Sequence, residues 1–167
     1  AREIRETVQR STHDLHRVPV DNHVGGRLVR HGWGASFGRS SYPGLFRKGV
    51  KRWGRARVHP PLDWAEGTRE GPPLSQRLTH YAFRDVGDLL AKLNGYASAR
   101  AADLNEAGGP GPAWVNYRRL VSRFWKCYVG RKGYREGGLG VLIALCGGLF
   151  PLLSYLKARY DPPAKKE

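Results

Sequence analysis

The stretch LFRKGVKRWGRARVHPPL, residues 45–62, gathers the side chains best suited to handling an anion. Arg47, Lys48, Lys51, Arg52, Arg55 and Arg57 are interleaved with Phe46, Trp53 and His59, and a double proline closes the run. Two chemistries use such a mixture. Cations can track the phosphates of a nucleic acid while Phe46 and Trp53 stack on bases. Alternatively, arginine forks pair a phosphate bidentately while aromatic faces cover a sugar ring. Two histidines stand out beside this strip, His59 and His80. Each lies in a β-like run, where a catalytic or phosphate-contacting group would project from a rigid edge.

Several sites of other kinds are missing from the sequence. No GxSxG, HExxH or Walker A pattern is present, and no RNP, zinc-finger or helix-turn-helix signature. Cys127 and Cys146 lack CxxC partners and sit in apolar surroundings, so each reads as a small buried hydrophobe. AREIRETVQR has no apolar segment of the kind a secretory signal needs.

The formal net charge is +15, yet 40% of the residues are hydrophobic, so the charge decorates a folded body. Such a balance favours nucleic acid, anionic lipid or phosphorylated small molecules. It also fits a compositional bias towards Arg, Gly, Ala and Pro.

These residues need elements to position them. Ile4 and Val8 mark a short amphipathic helix over 2–10. From 15 to 83 short extended runs alternate with Gly and Pro: HRVPV, GRLVRHGW, YPGLFRKG, KRWGRARVH and LSQRLTHYAF. The spacing of Leu89, Leu90, Leu93, Tyr96, Ala97, Ala101 and Leu104 predicts a helix opened by Asp85 and stopped by Gly108 and Gly109. In WVNYRRLVSRFWKCYV, Tyr117, Leu120, Val121, Phe124 and Tyr128 oppose Arg118, Arg119, Arg123 and Lys126, a pattern expected of a helix in a membrane interface.

Residues 137–156 carry no charge and are long enough to cross a bilayer as a helix. Their glycines and Pro151 favour a bent or re-entrant segment, with a buried core helix as the alternative. Basic residues flank both ends, which places both on an anionic face. The expected organisation is thus 1–84, an amphipathic helix over 85–109, and a membrane-associating tail over 113–160.

HGW at 31–33, LFRKGVKRW at 45–53, VH at 58–59, HYAFRDVGDLLAKLNGYASARAADL at 80–104 and RFWKCYVGRKGYREGGLGVLIAL at 123–145 follow one another in order, ending in YLKARY. This succession resembles the C-terminal half of bacterial family 2 glycosyltransferases of the lipopolysaccharide-core type. The resemblance covers about residues 1–160, with Glu136 where the family usually has Asp. It implies an α/β chain, the C-terminal part of a GT-A-like nucleotide-diphospho-sugar transferase fold followed by amphipathic and apolar helices. It also implies a nucleotide-sugar donor, a divalent metal (Mg or Mn) on the diphosphate, and a phosphorylated lipid-linked saccharide acceptor. The place of action would be the cytoplasmic face of the bacterial inner membrane.

On this resemblance residues 1–10 are the helix after a metal-binding Asp-x-Asp segment. That segment and the nucleotide-binding units are then expected upstream of this chain, which would be inactive alone. Arg47, Lys48, Lys51 and Arg52 would contact phosphate, Trp33 and Trp53 would flank a sugar, and His80 would bind substrate. The sequence departs from the family at Gly44, where Arg is common, and at Pro60, where Glu is common. An inverting transfer needs a base for the acceptor hydroxyl, so that role falls to His59, Asp63 or Glu66, or to another residue in this lineage. Nucleic acid is the disfavoured partner, because such a module has no need of a twenty-residue uncharged segment. A non-catalytic basic module on anionic membrane or nucleic acid, or a degenerate transferase, are the competing readings.

Overall fold

β1 (Leu15–Val24) is the spine of the sheet in the computed structural model, which describes residues 1–34, 38–57 and 60–161. Val20, Asn22 and Val24 alternate onto its buried face. One edge pairs antiparallel with β3 (Ser41–Phe46) along Leu15–Pro19 and with β2 (Arg27–Val29) along Asn22–Val24. The β1–β2 turn requires positive φ at Gly25 and Gly26, 56° and 79°. The other edge receives the chain returning from Glu70. Gly71 N–H donates to Leu15 O and Leu74 N–H to Arg17 O, and β6 (Leu78–Phe83) then pairs parallel with Val20–Val24. β4 (Lys51–Trp53) and β5 (Leu62–Trp64) form a separate antiparallel pair.

Helices cover the sheet. α1 is Arg2–Arg10. α2 (Val86–Glu106) begins where expected: the Asp85 carboxylate accepts the Asp88 N–H at 2.7 Å, and Leu89, Leu93, Ala97 and Ala101 are its buried stripe. α3 (Ala113–Trp125) runs into a π turn at Lys126–Gly130 and a 3₁₀ turn at Gly133–Glu136 before α4 (Gly138–Tyr160). α4 packs against both α2 and α3. One core joins Val24, Val29, Trp33 and Phe83 to Leu89 and Leu93 of α2 and to Ile143, Cys146 and Phe150 of α4. The three expected segments therefore share a single packing unit. Cys127 and Cys146 are buried free thiols, as read from their surroundings.

The apolar segment is one continuous helix instead of a re-entrant one. Its glycines are contact surfaces. A Cβ on Gly140 would lie 1.8 Å from Gly133 O, and one on Gly148 would lie 2.6 Å from Leu120 O. Pro151 stays inside the helix, although it leaves the Gly147 carbonyl without its usual donor. α4 is long and apolar enough to cross a membrane, and 56% of its most apolar window is buried within the protein.

Three expected strands are shorter than their apolar patterns, each because a carboxylate or an ion pair takes over. GRLVRHGW is strand only at Arg27–Val29, since Glu136 accepts the N–H of both Arg30 and His31 at 2.9 Å. LSQRLTHYAF is strand only from Leu78, since the N–H groups of Ser75 and Gln76 donate to Glu3. In the described part of KRWGRARVH the strand is Lys51–Trp53, and beyond it Arg57 is clamped to Asp103 and Glu106 of α2. The strand Leu62–Trp64 was not expected.

Candidate functional site

Two open cavities share Arg39 and Tyr42 in their linings and lie side by side as the two halves of a trough. The first, about 230 Å³, is bounded by Val20, Asn22, Leu78 and His80. The second, about 320 Å³, is bounded by Lys51, Trp53, Leu62 and the prolines at 60 and 61. Its shape follows from strand alternation. Lys51, Trp53 and Leu62 lie on one face of the β4–β5 pair, while the cross-strand partners Arg52 and Asp63 lie on the other.

Tyr42 sits in the middle of the trough because residue 44 is glycine. A Cβ there would meet the Tyr42 ring at 2.8 Å and Val18 at 2.7 Å, so the ring lies across the space a side chain would fill. This gives the Gly44 departure a physical consequence: the chain has an aromatic surface where a larger residue would displace it. Trp53 is 63% exposed. The Lys51 ammonium lies 4.1 Å from the Trp53 ring centre and 4.3 Å from that of Phe46. Desolvation there holds its pKa below the ordinary lysine range. Arg39 adds a second cation.

At the far end of the trough His80 Nδ1 is 2.8 Å from Asn22 Oδ1. Asn22 is 1% exposed, and its Nδ2 donates to Arg39 O at 3.1 Å. Both ends of the carboxamide are thereby satisfied.

The structure divides the residues selected from the sequence. Trp53 and His80 line the trough together. Trp33 does not: its side chain is 5% exposed, its Nε1–H donates to Val29 O at 2.6 Å, and its ring stacks on Phe83. That placement makes it a core residue with no face for a sugar. Arg47 turns the other way, to Asp14 at 3.4 Å and to the carbonyls of Ser11 and His13. Lys48 is exposed in the turn after β3, and Arg52 and Asp63 lie on the face away from Trp53. His59 lies outside the described residues. Asn22, Arg39 and Tyr42 escaped the sequence reading. Only Asn22 carried a signal, a polar residue at a position where alternation calls for an apolar one.

A second polar cluster lies near the start of β1. Ser11 Oγ is 2.7 Å from His16 Nε2, and His16 Nδ1 donates to Pro72 O at 2.8 Å. His16 is buried with both ring nitrogens engaged, so it acts as a strut between α1 and the returning chain. Among the described residues no three His, Cys, Asp or Glu side chains gather to hold a metal ion.

α3 presents a second surface. Trp114, Tyr117, Val121 and Trp125 recur at helical spacing and are 54–65% exposed, beside exposed Arg118, Arg119 and Lys126. The structure splits the expected single aromatic face in two. Leu120 and Phe124 are half-buried, with the Leu120 carbonyl and the Phe124 side chain beside Gly148 of α4, while Tyr117 and Val121 join the two tryptophans outside.

In comparisons with family models, curated proteins and solved structures, nothing matches this chain.

Proposed function

We propose that this chain is the acceptor-binding, membrane-associating part of a family 2 glycosyltransferase with a GT-A-like fold. It takes a phosphorylated, lipid-linked saccharide as acceptor and a nucleotide sugar as donor. The observation that carries the reading is the trough. Tyr42 and Trp53 offer ring faces, Arg39 and Lys51 offer positive charge, and all four line the same cavity. Aromatic faces with a few fixed cations suit a sugar that bears phosphate.

The outer face of α3 supports the lipid part of this reading. Two tryptophans, a tyrosine and a valine beside arginine and lysine match a helix lying at an anionic bilayer surface, with α4 packed behind it. On this account the protein works at the cytoplasmic face of the inner membrane. The divalent metal belongs to the donor diphosphate, and its ligands lie in the nucleotide-binding half rather than in these residues.

Calorimetric titration of the purified chain with a phosphorylated inner-core oligosaccharide tests the reading. Binding should weaken at least tenfold when the sugar is dephosphorylated, and similarly for Trp53→Ala. Tight binding to single-stranded RNA with a steep salt slope, and none to the saccharide, would instead favour a basic nucleic-acid module.

A further inference from the structure

The line of hydrogen bonds through Asn22 determines which nitrogen of His80 is basic. The Arg39 carbonyl can only accept, so the Asn22 group facing it is the NH₂ and the group facing His80 is the oxygen. A carboxamide oxygen cannot donate. His80 Nδ1 therefore carries a proton, and in the neutral ring Nε2 is the nitrogen with the lone pair. No hydrogen bond to Nε2 occurs among the described residues, and His80 lines the trough beside Tyr42 and Leu78. A buried amide that holds one imidazole nitrogen protonated, with the other open to a cavity, is the arrangement a general base requires.

We propose that His80 is the general base of the sugar transfer and that Asn22 is the residue that positions it; this rests on the transferase reading above. Of the candidates from sequence, His59 lies outside the described residues, and Asp63 and Glu66 are less well placed. Asp63 shares the opposite face of the β4–β5 pair with Arg52, and Glu66 is exposed in the turn after β5. Among the described residues, His80 brings an imidazole nitrogen to the cavity that Tyr42 and Arg39 also line.

The step balances with a nucleotide-sugar donor. The acceptor hydroxyl oxygen attacks the anomeric carbon, and its proton passes to His80 Nε2. The new glycosidic C–O bond forms as the bond from that carbon to the diphosphate oxygen breaks. The electron pair leaves with the nucleoside diphosphate. Asn22 Oδ1 then accepts a hydrogen bond from the imidazolium, steadying the charge that develops on the ring.

The test has two arms. Nitrogen-15 NMR of the ring in this chain should show His80 protonated at Nδ1 in its neutral form. Asn22→Ala should release it to a mixture of tautomers, a change that loss of packing alone would not give. In the transferase that contains this chain, His80→Gln should lower kcat by about 100-fold or more with acceptor KM little changed, amide spectra confirming the fold. An Nε2–H tautomer, or transfer by His80→Gln at the wild-type rate, overturns the base role alone. No transfer by the wild-type enzyme from any nucleotide sugar, with the tautomer as described, overturns the transferase reading and the base role with it.

Discussion

Glu136 reaches back 105 residues to His31: its Oε1 accepts the His31 N–H at 2.9 Å, and the Arg30 N–H at the same distance. The carboxylate is buried, and Arg27 stands 3.9 Å from its other oxygen. This contact ends β2 and fixes the helical tail to the sheet. Removing it leaves two backbone donors without a partner, each costing about 1–3 kcal/mol where water is excluded. Glu136→Ala should therefore lower stability to urea by about 2–4 kcal/mol. Glu136→Gln keeps an acceptor oxygen in place and should lose roughly 1 kcal/mol. Equal losses in both would mean that charge, and not the two hydrogen bonds, holds the junction.

Two glycines should respond to alanine with opposite signs. Gly95 is mid-way along α2 with nothing within 4 Å of a new Cβ, so Gly95→Ala should stabilise by about 0.5–1 kcal/mol through helix propensity alone. Gly140→Ala gains the same propensity but drives its methyl to 1.8 Å from Gly133 O. Overpacking of this kind costs about 1–3 kcal/mol or more, so the clash prevails and the variant unfolds at lower denaturant. A stabilised Gly140→Ala would show that α4 is free to slide against the 3₁₀ turn.

The acidic groups predict how stability falls in acid. The Arg69 N–H, with Arg69 and Arg47 nearby, holds the Asp14 carboxyl below its ordinary range. As pH drops through about 4 the unfolded chain takes up this proton first, so stability declines with falling pH. Asp14→Asn should be less stable than the parent at neutral pH. The difference should start to close near pH 4 and vanish below the folded-state pKa. Thermal melts at stepped pH give the answer; a gap that widens in acid reverses the sign.

Membrane association should depend on the outer stripe of α3. Trp114→Ala and Trp125→Ala should each weaken flotation with vesicles of anionic lipid by roughly tenfold, about 1.4 kcal/mol, without changing the fold. Phe124, whose side chain lies beside Gly148 of α4, should act on stability instead when changed to Ala. Unchanged flotation in the tryptophan pair would move the contact elsewhere.

What the sequence disclosed divides along physical lines. α2 was legible because Asp85, the leucine and alanine spacing and Gly108 all give local signals that agree. The lengths of the strands were not. Arg30, Ser75 and Arg57 leave extended pairing because Glu136, Glu3 and Asp103 reach them from 106, 72 and 46 residues away. No window of sequence contains both partners. The same holds for the trough. Trp53 and His80 were visible by type, but Tyr42 matters through the space left at Gly44, and Asn22 through hydrogen bonds to residues 17 and 58 positions away. Trp33 was misplaced because an aromatic beside Gly and His reads alike whether it faces solvent or stacks on Phe83.

The most direct measurement is an NMR titration of this chain with a phosphorylated inner-core oligosaccharide, following backbone and ring resonances together. The account predicts a contiguous set of saturable shifts at Arg39, Tyr42, Lys51, Trp53 and His80, absent with the dephosphorylated sugar. Shifts confined to Arg118, Arg119 and Lys126 on α3, or none in the trough, would contradict it.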